Sequence, residues 1–131
     1  QAEWVAAEMR AGVRRLCVDA TGIGSAHAEA LEKSHPGRIE GVVFTASVKE
    51  DLATRLKQKM ETGKQRIPSD PDLRRDLLNL RRIITSAGNT RFDVERDKNG
   101  HGDRAWMLML ALHAGEANPP PPGAQMGWRR G

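Results

Sequence analysis

The stretch from Leu16 to Gly24 constrains the fold of this 131-residue chain more than any other. It places a short apolar run, Leu16 to Val18, directly before Asp19, and Gly22 and Gly24 follow within five residues. An apolar run that ends in an acid and turns through glycines into a helical segment is typical of a strand–turn–helix unit. Open α/β sheets bind their ligands at the carboxyl ends of the strands. The sequence therefore predicts that Asp19 lies at the mouth of a buried strand, where a ligand could reach it.

Helical and strand patterns alternate along the rest of the chain. Apolar residues recur every three or four positions in the helical segments, whereas β-branched residues concentrate in the strand segments. Ser25 is expected to cap one helix, and Ser47 to Glu50 to form a capping box for the next. The predicted helices cover 2–11, 25–34, Ser47 to Gly63, Ser69 to Leu80 and 105–112, and the predicted strands cover 13–19, 38–45, 81–85 and 91–94, with a short extended piece at Ile67-Pro68.

This alternation predicts an α/β fold: a mainly parallel sheet flanked by helices, followed by a C-terminal β-hairpin. The segment 105–112 is apolar almost all round, so the last helix is expected to be buried on most sides and to close at Gly115. We expect one domain over residues 1–115. Residues 116–131 include four consecutive prolines and are expected to form an extended or disordered tail.

The composition favours a polyanionic partner and argues against several kinds of site. The net charge is +4, which mildly favours nucleic acid. No apolar run approaches the roughly 18 residues of a membrane span, so no membrane partner is expected. The only cysteine, Cys17, lies in the predicted buried strand and is expected to be a small core residue in an intracellular protein. Zinc-ligand spacing is absent among the four histidines, which are His27, His35, His101 and His113.

Asp19 has three possible roles on the sequence alone: ligand of a divalent cation, acceptor for a ribose hydroxyl, or cap of the following turn. The loop Gly22-Ile23-Gly24 lacks the third glycine of a dinucleotide fingerprint and the Gly-Lys-Ser/Thr of a P-loop, so nucleotide binding is weakly supported. The glycines are instead expected to let the chain turn sharply and approach the strand end.

Asp103 is the second candidate acid, because it lies directly before the most apolar helix. It could cap that helix, bind a metal ion, or do both. Paired carboxylates are the ligands that Mg²⁺ and Mn²⁺ prefer, and two such ions can cleave a phosphodiester. Two acids are too few for that site. A third could come from the region of the hairpin, where the candidates are Asp93, Glu95 and Asp97.

Taken in order, these features resemble the nuclease domain of phage terminase large subunits, the DNA-packaging motors. The resemblance extends from about Arg15 to Gly115, and the order and spacing of its parts are more specific than any single part. Its parts are Val18 to Gly24, Phe44-Thr45 with Lys49 opening a helix, Gly63 to Pro68, the hairpin, and His101-Gly102-Asp103-Arg104 before the last helix.

The resemblance implies a partial RNase H-like fold and a metal-dependent endonuclease that cuts concatemeric double-stranded DNA with Mg²⁺ or Mn²⁺. It makes Asp19 and Asp103 two of three catalytic, metal-binding acids. The implied partners are an ATPase domain, the small terminase subunit and the portal, in the cytoplasm of a phage-infected or lysogenic bacterium. The implied supporting residues are Thr21, Gly22, Gly24 and His101, and the candidates for contact with the DNA backbone are Lys49, Lys57 and Arg104.

The resemblance places the third acid of the family on an earlier strand, and we expect this chain to lack that strand. We therefore expect the C-terminal part of a larger nuclease, inactive or poorly active alone, with a bare strand edge near Asp19 that could pair with another chain. Two alternatives stay open: another RNase H-like nuclease such as a junction resolvase, or a non-catalytic α/β module that binds DNA or a nucleotide.

Overall fold

A computed structural model describes residues 2–94 and 102–117 of the chain. Five helices and four strands lie within these two ranges. In chain order they are α1 (Ala2–Arg10), β1 (Leu16–Asp19), α2 (Gly24–Ser34), β2 (Ile39–Val42), α3 (Ala46–Glu61), α4 (Pro71–Leu78), β3 (Leu80–Ile84), β4 (Thr90–Val94) and α5 (Asp103–Ala117). The predicted α/β alternation and the hairpin are confirmed.

The strands form two separate two-stranded sheets. β1 and β2 are parallel, with Leu16 opposite Ile39 and Asp19 opposite Val42, and α2 forms the crossover between them. β3 and β4 form an antiparallel hairpin. Within the described residues β1 pairs with β2 alone, so the other edge of β1 is unpaired.

The β1–β2 sheet is packed on both faces. On one face Cys17 and Val42 join a core built with α3 and α5, whose centre is the fully buried Met109. On the other face Leu16 and Ile39 pack against α1 and α2. Because side chains alternate along a strand, Asp19 belongs to the same face as Cys17, the face that α5 covers.

Two of the predicted helix starts are wrong. The residue before α2 is Ile23, and no side chain caps that helix, so Ser25 lies inside it. α3 is capped by Thr45, whose hydroxyl oxygen accepts the backbone N–H of Val48 at 3.2 Å, so the expected capping box at Ser47 is replaced by a cap two residues earlier. α4 begins within the predicted stretch Ser69 to Asp72, at Pro71, where Asp70 accepts the backbone N–H of Leu73 at 2.7 Å. It ends at Leu78, two residues before the predicted end.

Other predicted features are shorter, longer or less buried in the structure. β1 and β2 occupy only part of the predicted ranges 13–19 and 38–45, and Ile67-Pro68 belongs to no strand. α5 continues through Gly115 to Ala117. It is buried on most sides, as predicted, but one side is open, where Met107 is 59% exposed. No helix within 2–94 or 102–117 is long and apolar enough to span a membrane.

Candidate metal centre

The loop after β1 fixes one oxygen of Asp19. The carboxylate is exposed, and its Oδ1 accepts the backbone N–H of Thr21 at 2.8 Å. The Thr21 hydroxyl in turn accepts the backbone N–H of Phe44 at 2.9 Å. These two hydrogen bonds tie the loop to the end of β2 and hold the Asp19 side chain at the carboxyl end of the sheet.

Both glycines of the loop are required by its backbone. Gly22 has a φ of +61°, in the left-handed region that side chains disfavour. A Cβ atom at Gly24 would lie 2.9 Å from the carbonyl oxygen of Asp19. The structure thus supports the prediction that the glycines serve a sharp turn and a close approach to the strand end.

The direction of α5 places Asp103 at the same end of the sheet as Asp19. Glu40 of β2 contacts His113 late in α5, whereas Phe44, just beyond β2, packs on Trp106 early in α5 with ring centroids 5.5 Å apart. The helix therefore runs antiparallel to the strands. Its first residue, the exposed Asp103, lies beyond the carboxyl ends of the strands.

A groove of about 850 Å³ lies along the unpaired edge of β1. Its walls are mainly apolar and come from β1, α1, α2 and α5, and Asp19 is part of its lining. Met107 and Ala111 of α5 also line it. They follow Asp103 at intervals of four, so Asp103 begins the helix face that borders the groove. The groove therefore connects the helix face of Asp103 with the strand end of Asp19.

Asp76 is a buried acid that the sequence analysis did not identify. Only 5% of its surface is exposed, and its Oδ2 accepts the backbone N–H of Arg104 at 3.2 Å. It therefore helps satisfy the free N–H groups at the start of α5, next to Asp103. The one signal in the sequence is its position between Leu73 and Leu77, on the apolar side of α4.

The three cations expected to contact DNA each have a protein contact. Lys49 Nζ lies 4.9 Å from the centroid of the Trp106 ring system, and Lys57 Nζ is 3.7 Å from Glu61. Arg104 Nη2 is 3.4 Å from Asp72. The ion pairs of Lys57 and Arg104 are exposed and therefore weak, so these two side chains can exchange them for another anion.

Of the candidates for a third carboxylate, Asp93 lies within the described residues. It lies on β4, and its Oδ2 is 3.7 Å from Arg91 Nη2. Glu95, Asp97 and His101 lie outside the described residues.

A second cluster of possible metal ligands lies deeper on the same face of the sheet. The Cys17 Sγ is 3.9 Å from Glu40 Oε2, and His113 Nε2 is 3.3 Å from Glu40 Oε1. Their ligand atoms lie within 4.8 Å of one another, and in residues 2–94 and 102–117 this is the one such group of three. Burial raises the pKa of the Cys17 thiol, although the Arg15 guanidinium, which pairs with Glu40, partly opposes that shift.

Arg55 connects this cluster to α3 through His113. Arg55 Nη2 lies 3.2 Å from His113 Nδ1, and Arg55 Nη1 is 2.6 Å from Glu116. Burial, followed by the charges of Arg55 and Arg15, lowers the pKa of His113. The hydrogen bond from Lys59, supported by Arg55, lowers the pKa of Glu116.

Comparison with known proteins gives a consistent family. The family model described as "Terminase RNaseH-like domain" matches residues 1–114. The terminase large subunits of Thermus phage G20c and of Thermus virus P23-45 are each 33% identical over 96 residues. That alignment covers 73% of this chain but only 19% of either relative.

Solved structures give the same answer for the fold. The large terminase nuclease from thermophilic phage G20c with bound magnesium is 27% identical to this chain, with a TM-score of 0.67. The form of that nuclease with bound cobalt is 28% identical, with a TM-score of 0.68. The matches cover 86% of this chain and 60% and 61% of those chains, respectively.

Proposed function

The chain belongs to the terminase RNaseH-like domain family, and on that premise we propose that it is the metal-binding part of an endonuclease that cuts double-stranded DNA for phage packaging. The single observation that supports this most strongly is the placement of two exposed carboxylates, Asp19 and Asp103, at one end of the sheet. The chain spans about a fifth of the length of the curated relatives it matches, so the proposal concerns a part of such a protein.

The donor set fits a hard divalent cation. Asp19 and Asp103 offer only carboxylate oxygens, the ligands suited to Mg²⁺ and Mn²⁺, and both are exposed enough for ions that keep several waters. The relatives that resemble this chain in structure were solved with bound magnesium and cobalt. When bound, such cations activate the attacking water and stabilise the leaving oxygen of a phosphodiester.

The chain's own residues orient the ligands. The Thr21 N–H donates to one oxygen of Asp19 and leaves the other oxygen available to an ion. Asp76 anchors the first turn of α5 through Arg104, and thereby fixes the backbone from which Asp103 extends. Rigid support of this kind is what a metal centre requires. Lys49, Lys57 and Arg104 would contact the DNA backbone, exchanging their present weak contacts for phosphates.

The groove along β1 supports the further proposal that a strand from outside this sequence pairs with its unpaired edge. The edge offers backbone N–H and C=O groups, and the walls offer apolar surface that includes Met107 and the fully exposed Ile23. That strand would bring the third carboxylate next to Asp19. The solved nucleases extend well beyond the part that this chain matches, which leaves room for it.

The finer assignments are proposals of the same kind. Residues 1–117, up to the end of α5, would belong to the C-terminal portion of the nuclease domain, and the residues after α5 would be its tail. The whole protein would work with an ATPase domain, a small terminase subunit and a portal in the cytoplasm of the host cell. A second copy of the chain is the other candidate to cover the edge of β1.

Calorimetric titration with Mn²⁺ tests metal binding at the site. Plasmid nicking, measured with the full-length protein that the gene encodes, tests the nuclease activity. Asp19→Asn and Asp103→Asn should each weaken Mn²⁺ binding about tenfold or more and abolish nicking while circular dichroism is unchanged. Glu61→Gln, which removes an exposed acid at the C-terminal end of α3, is the control and should bind as the wild type does.

The result also separates the rival functions. Normal nicking by both Asp19→Asn and Asp103→Asn would overturn the site assignment. Preference for branched over linear DNA would favour a junction resolvase. Absence of Mn²⁺ binding together with absence of nicking by the longest form would favour a non-catalytic module.

A further inference from the structure

We propose that Cys17, Glu40 and His113 form a second cation site, which binds Zn²⁺ and joins β1, β2 and α5. The site is separate from the carboxylates at the end of the sheet. Its evidence does not depend on the proposed nuclease function, so either proposal can fail without the other.

The distances within the cluster fit a zinc ion. With bonds of about 2.0 to 2.3 Å, a tetrahedral Zn²⁺ keeps its ligand atoms about 3.3 to 3.7 Å apart. His113 Nε2 lies 3.3 Å from Glu40 Oε1, and Cys17 Sγ lies 3.9 Å from Glu40 Oε2. Since all the ligand atoms lie within 4.8 Å of one another, small side-chain movements bring them to one ion.

The types of ligand select the metal. A thiolate and an imidazole favour Zn²⁺ over Mg²⁺ or Mn²⁺, which prefer oxygen ligands. When Zn²⁺ binds, the Cys17 thiol loses its proton to solvent and coordinates as a thiolate. The positive charge of the ion favours this deprotonation and so offsets the rise in the thiol pKa that burial causes. Three protein ligands leave a fourth position for water.

The site lies apart from Asp103 but within reach of solvent. His113 is ten residues further along α5, about 15 Å at the helical rise. Cys17 lines the groove beside β1, which gives an ion a route to the thiol. Cys17 itself is 8% exposed, so a bound ion would be largely enclosed.

The neighbouring charges can accommodate the ion. Arg15 pairs with Glu40 and would remain as the hydrogen-bond partner of a ligating carboxylate, a common arrangement around metal sites. Arg55 faces His113 Nδ1, which carries the proton once Nε2 binds metal. Its guanidinium is also held by Asp51 at 2.8 Å and by Glu116 at 2.6 Å, so it keeps carboxylate partners after turning from the imidazole.

Cobalt substitution tests the site in the unaltered chain. A Co²⁺ ion bound to a thiolate gives a near-ultraviolet charge-transfer band, and Cys17 is the only thiol. We expect that band at one equivalent of Co²⁺, and its loss when Zn²⁺ is added. If the folded wild-type chain shows no such band, the proposal is wrong.

Competition with a chromophoric chelator then measures Zn²⁺ affinity in variants. Cys17→Ser and His113→Gln should each lower the affinity by at least about tenfold, with circular dichroism reporting that each variant is folded. His35→Gln, at the far end of α2, is the control and should keep it. Unchanged affinity in His113→Gln would show that the cluster is only a polar network.

Discussion

Asp19 and Cys17 lie on the same face of β1, two residues apart, but their surroundings differ in chemistry. Asp19 is exposed, lies in a glycine turn and shares its end of the sheet with another acid. Cys17 is buried beneath α5 and lies near a carboxylate, an imidazole and the Arg15 guanidinium. The face of the strand is the same, so the difference arises from what α5 covers: the helix closes over Cys17 and only begins near Asp19.

This contrast makes α5 the element on which both regions depend. Removing the Trp106 side chain should disturb both regions, whereas changes in the loop after β1 should affect the surroundings of Asp19 alone. Protonation of His113 should affect only the cluster around Cys17, which we call the buried end.

The largest effect is expected from Trp106→Ala. The ring is 8% exposed and packs on Phe44, so its loss should lower the free energy of unfolding by about 3 to 5 kcal/mol. Urea denaturation measures this. Met107→Ala, on the exposed side of the same helix, should change it by less than about 0.5 kcal/mol. Equal losses in the two variants would mean that α5 is packed differently.

A smaller effect, confined to the Asp19 end, is expected from Gly24→Ala. The new Cβ would meet the Asp19 carbonyl oxygen at 2.9 Å, which should cost about 1 to 3 kcal/mol and weaken Mn²⁺ binding. Gly115→Ala is a matched control of opposite sign. Gly115 lies in α5, and a Cβ atom added there would have no atom within 4 Å. Alanine should therefore raise the free energy of unfolding by up to about 1 kcal/mol. Stabilisation by Gly24→Ala would refute the close approach.

These glycines also show what the sequence allows one to predict. The strand–turn–helix unit at Asp19 and the order of elements could be predicted because each depends on local spacing and turn chemistry. The cap of α3 could not, because Thr45 and Ser47 both offer hydroxyls within two residues and the backbone conformation decides between them.

Contacts between residues distant in sequence could not be predicted, for a different reason. Glu40 and His113 are 73 residues apart, and their meeting depends on how α5 lies across the sheet. The exposure of Met107 likewise depends on which neighbours α5 has. The apolar pattern of the helix predicts burial wherever a partner is available, and along the edge of β1 none of the described residues provides one.

The smallest effect is expected from pH at the buried end. The pKa of His113 is lowered in the folded chain, mainly by burial, so the unfolded chain binds more protons at mildly acidic pH. The stability due to neutral His113 is therefore complete above its unfolded pKa of about 6.5 and is lost as pH falls below it. His113→Gln should show a smaller loss of unfolding free energy between about pH 7.5 and about pH 5.5 than the wild type.

His27→Gln, which removes an exposed imidazole, serves as the control for that comparison. An identical pH dependence in the wild type and in His113→Gln would contradict the electrostatic account of the buried end.

Paramagnetic broadening of amide NMR signals by Mn²⁺ tests the central claim most directly, because it locates the ion without requiring activity. We predict that substoichiometric Mn²⁺ broadens the amides of Thr21 and Arg104, which adjoin the two carboxylates, before those of Glu40 and His113. Asp19→Asn should remove that pattern. Broadening centred on Glu40 and His113, or an unchanged pattern in Asp19→Asn, would contradict the assignment of the hard cation to the Asp19 end.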